Sequence, residues 1–112
     1  LFRSLRLPNN AGALAGVVHL LTTDHVQILA MGLDAGGTLR VVVDNHVRAV
    51  AALTEHRHRV VERDVLVVDA AAQATALQLL ASAGINLNYS YGAPLLVLGV
   101  DDALRASALT GI

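Results

Sequence analysis

Apolar positions in this chain recur with two alternating periods. Phe2, Leu5 and Leu7 stand among Arg3, Ser4 and Arg6, a near-alternation that predicts a short strand over 2–7. Pro8, Asn9 and Asn10 end it with turn chemistry. The period then lengthens: Leu14, Val17, Val18 and Leu21 share one face of a helix predicted over 11–23. An asparagine just ahead of such a run is an N-cap signal. Aliphatic residues over 26–31 predict a second strand. Gly32, Asp34, Ala35, Gly36 and Gly37 predict a turn, and the β-branched run 38–43 a third strand, so the two strands form a hairpin. Asp44 or Asn45 caps a helix predicted over 46–56 with Val47, Val50, Ala51 and Leu53 inward, and 59–62 reads as a short fourth strand.

The pattern then begins again. A strand is predicted over 65–68, an alanine-rich helix over 70–83 closed by Gly84, a strand over 85–91 with Ile85, Leu87 and Tyr89 inward, a partner strand over 95–100, and a helix over 103–109 capped by Asp101 or Asp102. The letters repeat as well. A shift of 59 lays His19-Leu20-Leu21 on Gln78-Leu79-Leu80 and Val26-Gln27-Ile28 on Ile85-Asn86-Leu87; a shift of 57 lays Leu39-Arg40-Val41-Val42-Val43-Asp44 on Leu96-Val97-Leu98-Gly99-Val100-Asp101. Self-similarity at a fixed spacing points to duplication of one structural unit. The expected division is 1–63 and 64–112, each half small enough to be marginal alone.

Strand, helix, strand, strand, helix, strand is the ferredoxin-like order, an α+β arrangement with antiparallel sheets and helices on one face. Pro8-Asn9-Asn10-Ala11-Gly12-Ala13-Leu14-Ala15 resembles the ACT-domain signature, in which Asn or Asp ends the first strand, Gly follows three residues later and Leu two after that. Ala83-Gly84-Ile85-Asn86-Leu87 is similar to that family's passage from first helix to second strand, and Leu39-Arg40-Val41-Val42-Val43-Asp44 with its alanine-rich helix also fits. The resemblance covers essentially the whole chain and is to the small proteins built from two ACT repeats. It implies a cytoplasmic, non-catalytic regulatory protein, a homodimer that binds a free amino acid. The family's ligands sit at the first strand-to-helix loop, here Asn9, Asn10, Ala11, Gly12, Ala13 and Leu14, across from the second strand of another ACT unit, here either the second half with Asn86 and Asn88 or a symmetry mate. Two departures stand out. The register puts Asp69-Ala70-Ala71-Ala72-Gln73 where the second loop belongs, and no last strand for the second half is visible before Ile112, so that strand is expected from outside these residues or from another chain.

Composition narrows the function classes. Of 112 residues 54% are hydrophobic and 15% charged, and mean hydropathy is +0.56, which excludes a disordered chain and favours burial of apolar surface by self-association. No apolar run reaches the roughly 20 residues a membrane span needs. A net charge of −1 and 3% aromatics lack the basic face and stacking platforms of a nucleic-acid binder. Zero cysteines remove thiolate catalysis and cysteine zinc sites.

The residues themselves point to the first loop too. A strand-to-helix turn offers unpaired amides and the positive end of a helix dipole to a carboxylate. Gly12 admits a close backbone approach, so Gly12→Val is expected to abolish ligand binding, and Asn9 donates and accepts, which suits a zwitterion. His56 and His58, with Glu55 or Glu62, sit among Arg57, Arg59 and Arg63, whose charge opposes a metal ion; no metal and no cofactor are expected. Ser4, Ser82, Ser90 and Ser107 have no local base, and Gly36-Gly37-Thr38 lacks the lysine of a phosphate loop. Two rival readings remain: a ligand-free dimerisation module, favoured by the altered second loop, and a small enzyme using Arg3 and Arg6 about an anion loop, on fold analogy alone.

Overall fold

The computed structural model describes residues 1–10, 12–92 and 95–112. Its elements run β1 (Phe2–Pro8), α1 (Ala13–Thr23), β2 (Ile28–Leu33), β3 (Thr38–Val43), α2 (His46–Glu55), β4 (Val61–Val68), α3 (Gln73–Ser82, entered through a 3-10 turn at Ala70–Ala72), β5 (Leu87–Tyr91), β6 (Leu96–Val100) and α4 (Ala103–Thr110). This is the α+β, ferredoxin-like order, run once in full and then again without a last strand among the described residues, β4 ending the first pass and opening the second. The chain divides into two compact units: a first, Arg3–Arg63, and a second, Asp64–Ile112 with Leu1 and Phe2.

In the first unit β3 lies between β2 and β1, and both pairings are antiparallel. Because successive side chains on a strand face opposite ways, Leu5 and Leu7 of β1 and Leu39, Val41 and Val43 of β3 share a face. That face closes on Val17 and Leu21 of α1 and on Ala49 and Leu53 of α2. Burying each leucine contributes about 1.5–3 kcal/mol, so this cluster is the unit's principal stabiliser. Both helices end in a left-handed residue: His25 at φ 59 and Arg57 at φ 65. The next amides reach back into the helix, Val26 to the Leu21 carbonyl at 2.8 Å and His58 to that of Leu53 at 2.9 Å. This satisfies carbonyls that the helix end would orphan.

The second unit has the same plan, with β6 between β4 and β5. Leu66, Val68, Leu98 and Val100 pack on Ala76, Leu80, Ile85 and Ala106. The duplication extends to detail. The register slips between Ile28 and Ala30 in β2 and, 59 residues on, between Leu87 and Tyr89 in β5. The Asp44 amide donates to the Gln27 carbonyl at 3.1 Å, and the Asp101 amide to that of Asn86 at 3.2 Å. Gly84, at φ 69, stands where the first unit has His25. Asn45 caps α2 through the Arg48 amide as Asp102 caps α4 through the Arg105 amide.

Several expectations change. The strands expected over 59–62 and 65–68 are one strand, β4, with Arg63 and Asp64 inside it. Two charges in sequence look like a break, but in an extended chain their side chains project to opposite faces without interrupting the backbone. Neither Asn9 nor Asn10 is the N-cap of α1; Gly12 is. Leu14, Val47, Ala51 and Leu87, expected inward, are exposed, and Ala13 and Ala49 take inward positions on α1 and α2. Tyr89 turns to the face away from the helices. There it lies over Gly99, where any Cβ would overlap its ring, and stacks with Tyr91 at 6.2 Å between centroids. Among the described residues no helix is long and apolar enough to cross a membrane.

Candidate functional site

The turn between β1 and α1 is built by the strand pairing beside it. Pro8 pairs with Thr38 at the last rung of β1 and β3, and the Asn9 amide closes that end on the Gly37 carbonyl at 2.9 Å. The Asn10 carbonyl then accepts from the Ala13 amide at 3.0 Å, and Gly12 accepts from Gly16 to begin the helix. Gly12 is left-handed, φ 81 and ψ −3, and no side chain caps the helix. A Cβ on Gly12 would meet nothing within 4 Å, so the requirement for glycine is one of backbone angle, and the space beside it is open. Asn9 is half-buried; Asn10, Gly12 and Leu14 are exposed. Among the described residues the Gly12 and Leu14 amides donate to no acceptor, and the Asn9 and Asn10 side chains make no hydrogen bond. Ala11, also expected at the site, falls outside the described residues.

The equivalent turn of the second unit is filled from within. Asp69 stands 59 residues after Asn10. Its carbonyl accepts from the Ala72 amide at 3.2 Å as Asn10 accepts from Ala13, but its carboxylate also takes that amide, at 3.1 Å. A 3-10 turn, Ala70–Ala72, replaces the glycine turn. The backbone plan is shared; the difference is that one turn carries its own anion.

Asn86 and Asn88 are in the second unit, exposed at the start of β5 and joined by an Asn86 Nδ2 donation to Asn88 Oδ1 at 2.9 Å. His56 points back to the Ala52 carbonyl at 3.0 Å, and among the described residues no three potential metal ligands gather. His46 opens α2 with Nδ1 at 3.3 Å from Glu62 Oε1, which also lies 3.7 Å from Arg3 Nε.

Sequence reasoning missed two concavities of the first unit. One is a groove of about 610 Å3 over α1 and α2, bordered by His19, Asp24, Arg48, Glu55 and His56. The other, about 290 Å3, opens where β1 meets the turn and is lined by Arg6, Leu7, Pro8, Gly37, Thr38, Arg59 and Val61. The strand register foreshadows part of the second, since Arg6 is opposite Arg40 and Pro8 opposite Thr38; nothing local brings Arg59 to them. Asp34 anchors the neighbouring hairpin turn. It accepts from Arg40 at 2.7 Å and from the Thr38 amide at 3.1 Å. The Arg40 guanidinium, then the Thr38 amide, hold its carboxyl below its ordinary pKa.

No family model matches this chain, and no curated protein matches it in sequence. Solved structures do match its fold. A Bacteroides thetaiotaomicron protein superposes with a TM-score of 0.78 at 21% identity, over 98% of this chain and 85% of that one. The ligand-free regulatory subunit of aspartate kinase from Thermus thermophilus does so with a TM-score of 0.69 at 18% identity, over 98% and 88%. Aspartokinase III of E. coli, in complex with lysine and aspartate, matches 97% of this chain with 29% of its own, at a TM-score of 0.63 and 14% identity. At these identities the likeness is one of fold: two ACT-like, ferredoxin-like repeats.

Proposed function

We propose that this chain is a non-catalytic regulatory module that binds a free amino acid at residues 9–14 of its first unit. The observation that carries the reading is the contrast between the two turns. Asn45 and Asp102 cap α2 and α4, and Asp69 caps the 3-10 turn that leads into α3, whereas α1 starts at an uncapped, left-handed glycine with open space beside it. A ligand carboxylate supplies there what Asp69 supplies in the second unit: an acceptor for first-turn amides at the positive end of a helix. The side-chain amides of half-buried Asn9 and exposed Asn10 suit the rest of a zwitterion. The fold shared with regulatory subunits of aspartate kinase supports the same role.

The test is a thermal-shift and calorimetric screen of the twenty amino acids. A ligand that binds only the native state raises Tm, by the equivalent of about 2.7 kcal/mol at one hundred times Kd. At least one amino acid should shift the melt at millimolar concentration; silence across all twenty refutes the proposal. The rival, a ligand-free homodimerisation module, draws on Met31 and Leu33, 44% and 51% exposed on β2, at the end of the first unit's strand order. A stable dimer by light scattering that ignores every amino acid selects it.

A further inference from the structure

We propose that the cleft beside the first turn is an anion subsite, and that the ligand of the first unit is an acidic amino acid, aspartate or glutamate, whose side-chain carboxylate docks on Arg6 and Arg59. The inference rests on the amino-acid-binding reading and narrows it to one ligand class. Its basis is where the acids of this unit are and are not. Arg3 lies 3.7 Å from Glu62, Arg40 2.7 Å from Asp34 and Arg48 3.9 Å from Asp24. Arg6 and Arg59 line a common cleft of about 290 Å3, and among the described residues neither has a carboxylate within salt-bridge distance. Arg6 is directly across the strand pair from Arg40, whose own charge Asp34 offsets at 2.7 Å, so among the described residues no carboxylate is left over for Arg6.

The remaining walls suit a carboxylate. Guanidinium groups hold carboxylates through paired, charge-assisted hydrogen bonds, and the Thr38 hydroxyl, which bonds to no described residue, adds a donor. Leu7, Pro8 and Val61 give the cleft apolar sides against which a methylene stem can lie. The cleft ends at the residue before the turn. Pro8 lines it and immediately precedes Asn9, and Gly37 lines it while its carbonyl holds the Asn9 amide at 2.9 Å. A ligand whose α-carboxylate meets the turn and whose side chain runs back along β1 would reach Arg6 and Arg59.

Isothermal titration of the whole chain with L-aspartate, L-glutamate, L-asparagine, L-glutamine, L-lysine, succinate and inorganic phosphate tests this. One of the two acids should bind at least about tenfold tighter than its own amide, as loss of a charge-assisted hydrogen bond implies. Arg6→Gln and Arg59→Gln should each erase that preference, weakening the acid about tenfold more than its amide, while the chain still melts cooperatively. Amides or lysine binding as tightly as the acids, or a preference that survives both substitutions, overturns the anion subsite and leaves the amino-acid reading standing. Succinate or phosphate binding as tightly as aspartate overturns the assignment to an amino acid. Absence of binding by every amino acid sinks both.

Discussion

Replacing Gly12 with alanine separates two reasons for a glycine at the first turn. Its backbone sits at φ 81, and an added Cβ would meet nothing within 4 Å, so the substitution has a conformational cost and no steric one. An L-residue in the left-handed region costs about 1–2 kcal/mol. Part is returned, about 0.4–1 kcal/mol, because alanine restricts the unfolded chain more than glycine does. The net loss is about 1 kcal/mol, or roughly 4 °C in Tm for a chain of this size. Urea denaturation should show a lower midpoint with an unchanged slope, since no surface is newly exposed. Gly12→Asn should fall between the two, because asparagine tolerates the left-handed region. Equal stability of the alanine and native chains, or an asparagine variant weaker than the alanine one, refutes the account. Ligand binding distinguishes further: the alanine chain keeps it, while the branched valine of Gly12→Val, unable to hold these angles, loses it with the turn.

Three further outcomes follow from the same geometry. His25→Gly should stabilise the chain by about 0.5 kcal/mol, because it removes a left-handed side chain, while Gly84→Ala should destabilise by about 1 kcal/mol; a lower Tm for His25→Gly contradicts this. Asp69→Ala should cost about 1 kcal/mol, as loss of an N-cap does, and Asn10→Ala much less, because that side chain caps nothing; equal losses in denaturant melts would erase the contrast between the turns. Asp34 has a depressed carboxyl pKa in the fold, so the folded state binds fewer protons than the unfolded chain. Its stabilisation is present above the unfolded pKa and fades as pH falls through the folded one. The stability gap between the native chain and Asp34→Asn should therefore narrow on acidification, and a gap independent of pH removes the Arg40 contact from the account.

What could be read in advance follows from how local each determinant is. Thr38–Val43 and the caps Asn45 and Asp102 declare themselves within a few residues, through β-branching and a side chain meeting the amide three positions on. The starts of β2 and β5 do not. Val26 and Ile85 look like strand residues, but their amides are committed to the Leu21 and Leu80 carbonyls behind them, so each strand begins two residues later than expected. Leu14 has the spacing of a core residue, yet the helix begins at Ala13, which takes the buried position at its start. The first turn was legible from its Asn, Gly and Leu. The Arg6 and Arg59 cleft was not, since it depends on the chain returning to β1 after two helices and a hairpin.

Asn10 and Asp69 occupy the same place in the duplicated unit and differ only in that one carries a charge, which makes Asn10→Asp a direct test of what the first turn is for. If that turn is merely an entry to a helix, aspartate improves it: a negative group near a helix N-terminus contributes about 0.3–1 kcal/mol, and Tm rises or holds. If the turn receives a ligand carboxylate, the same substitution puts a fixed negative charge beside it. Two like charges about 5 Å apart near a protein surface repel by about 1–3 kcal/mol, enough to weaken binding about tenfold or more. The expected result is therefore a divergence, with stability maintained and amino-acid binding lost, read by melting the variant with and without ligand. Binding that persists at native strength in Asn10→Asp means the carboxylate goes elsewhere, and the uncapped start of α1 is then a variation in helix capping.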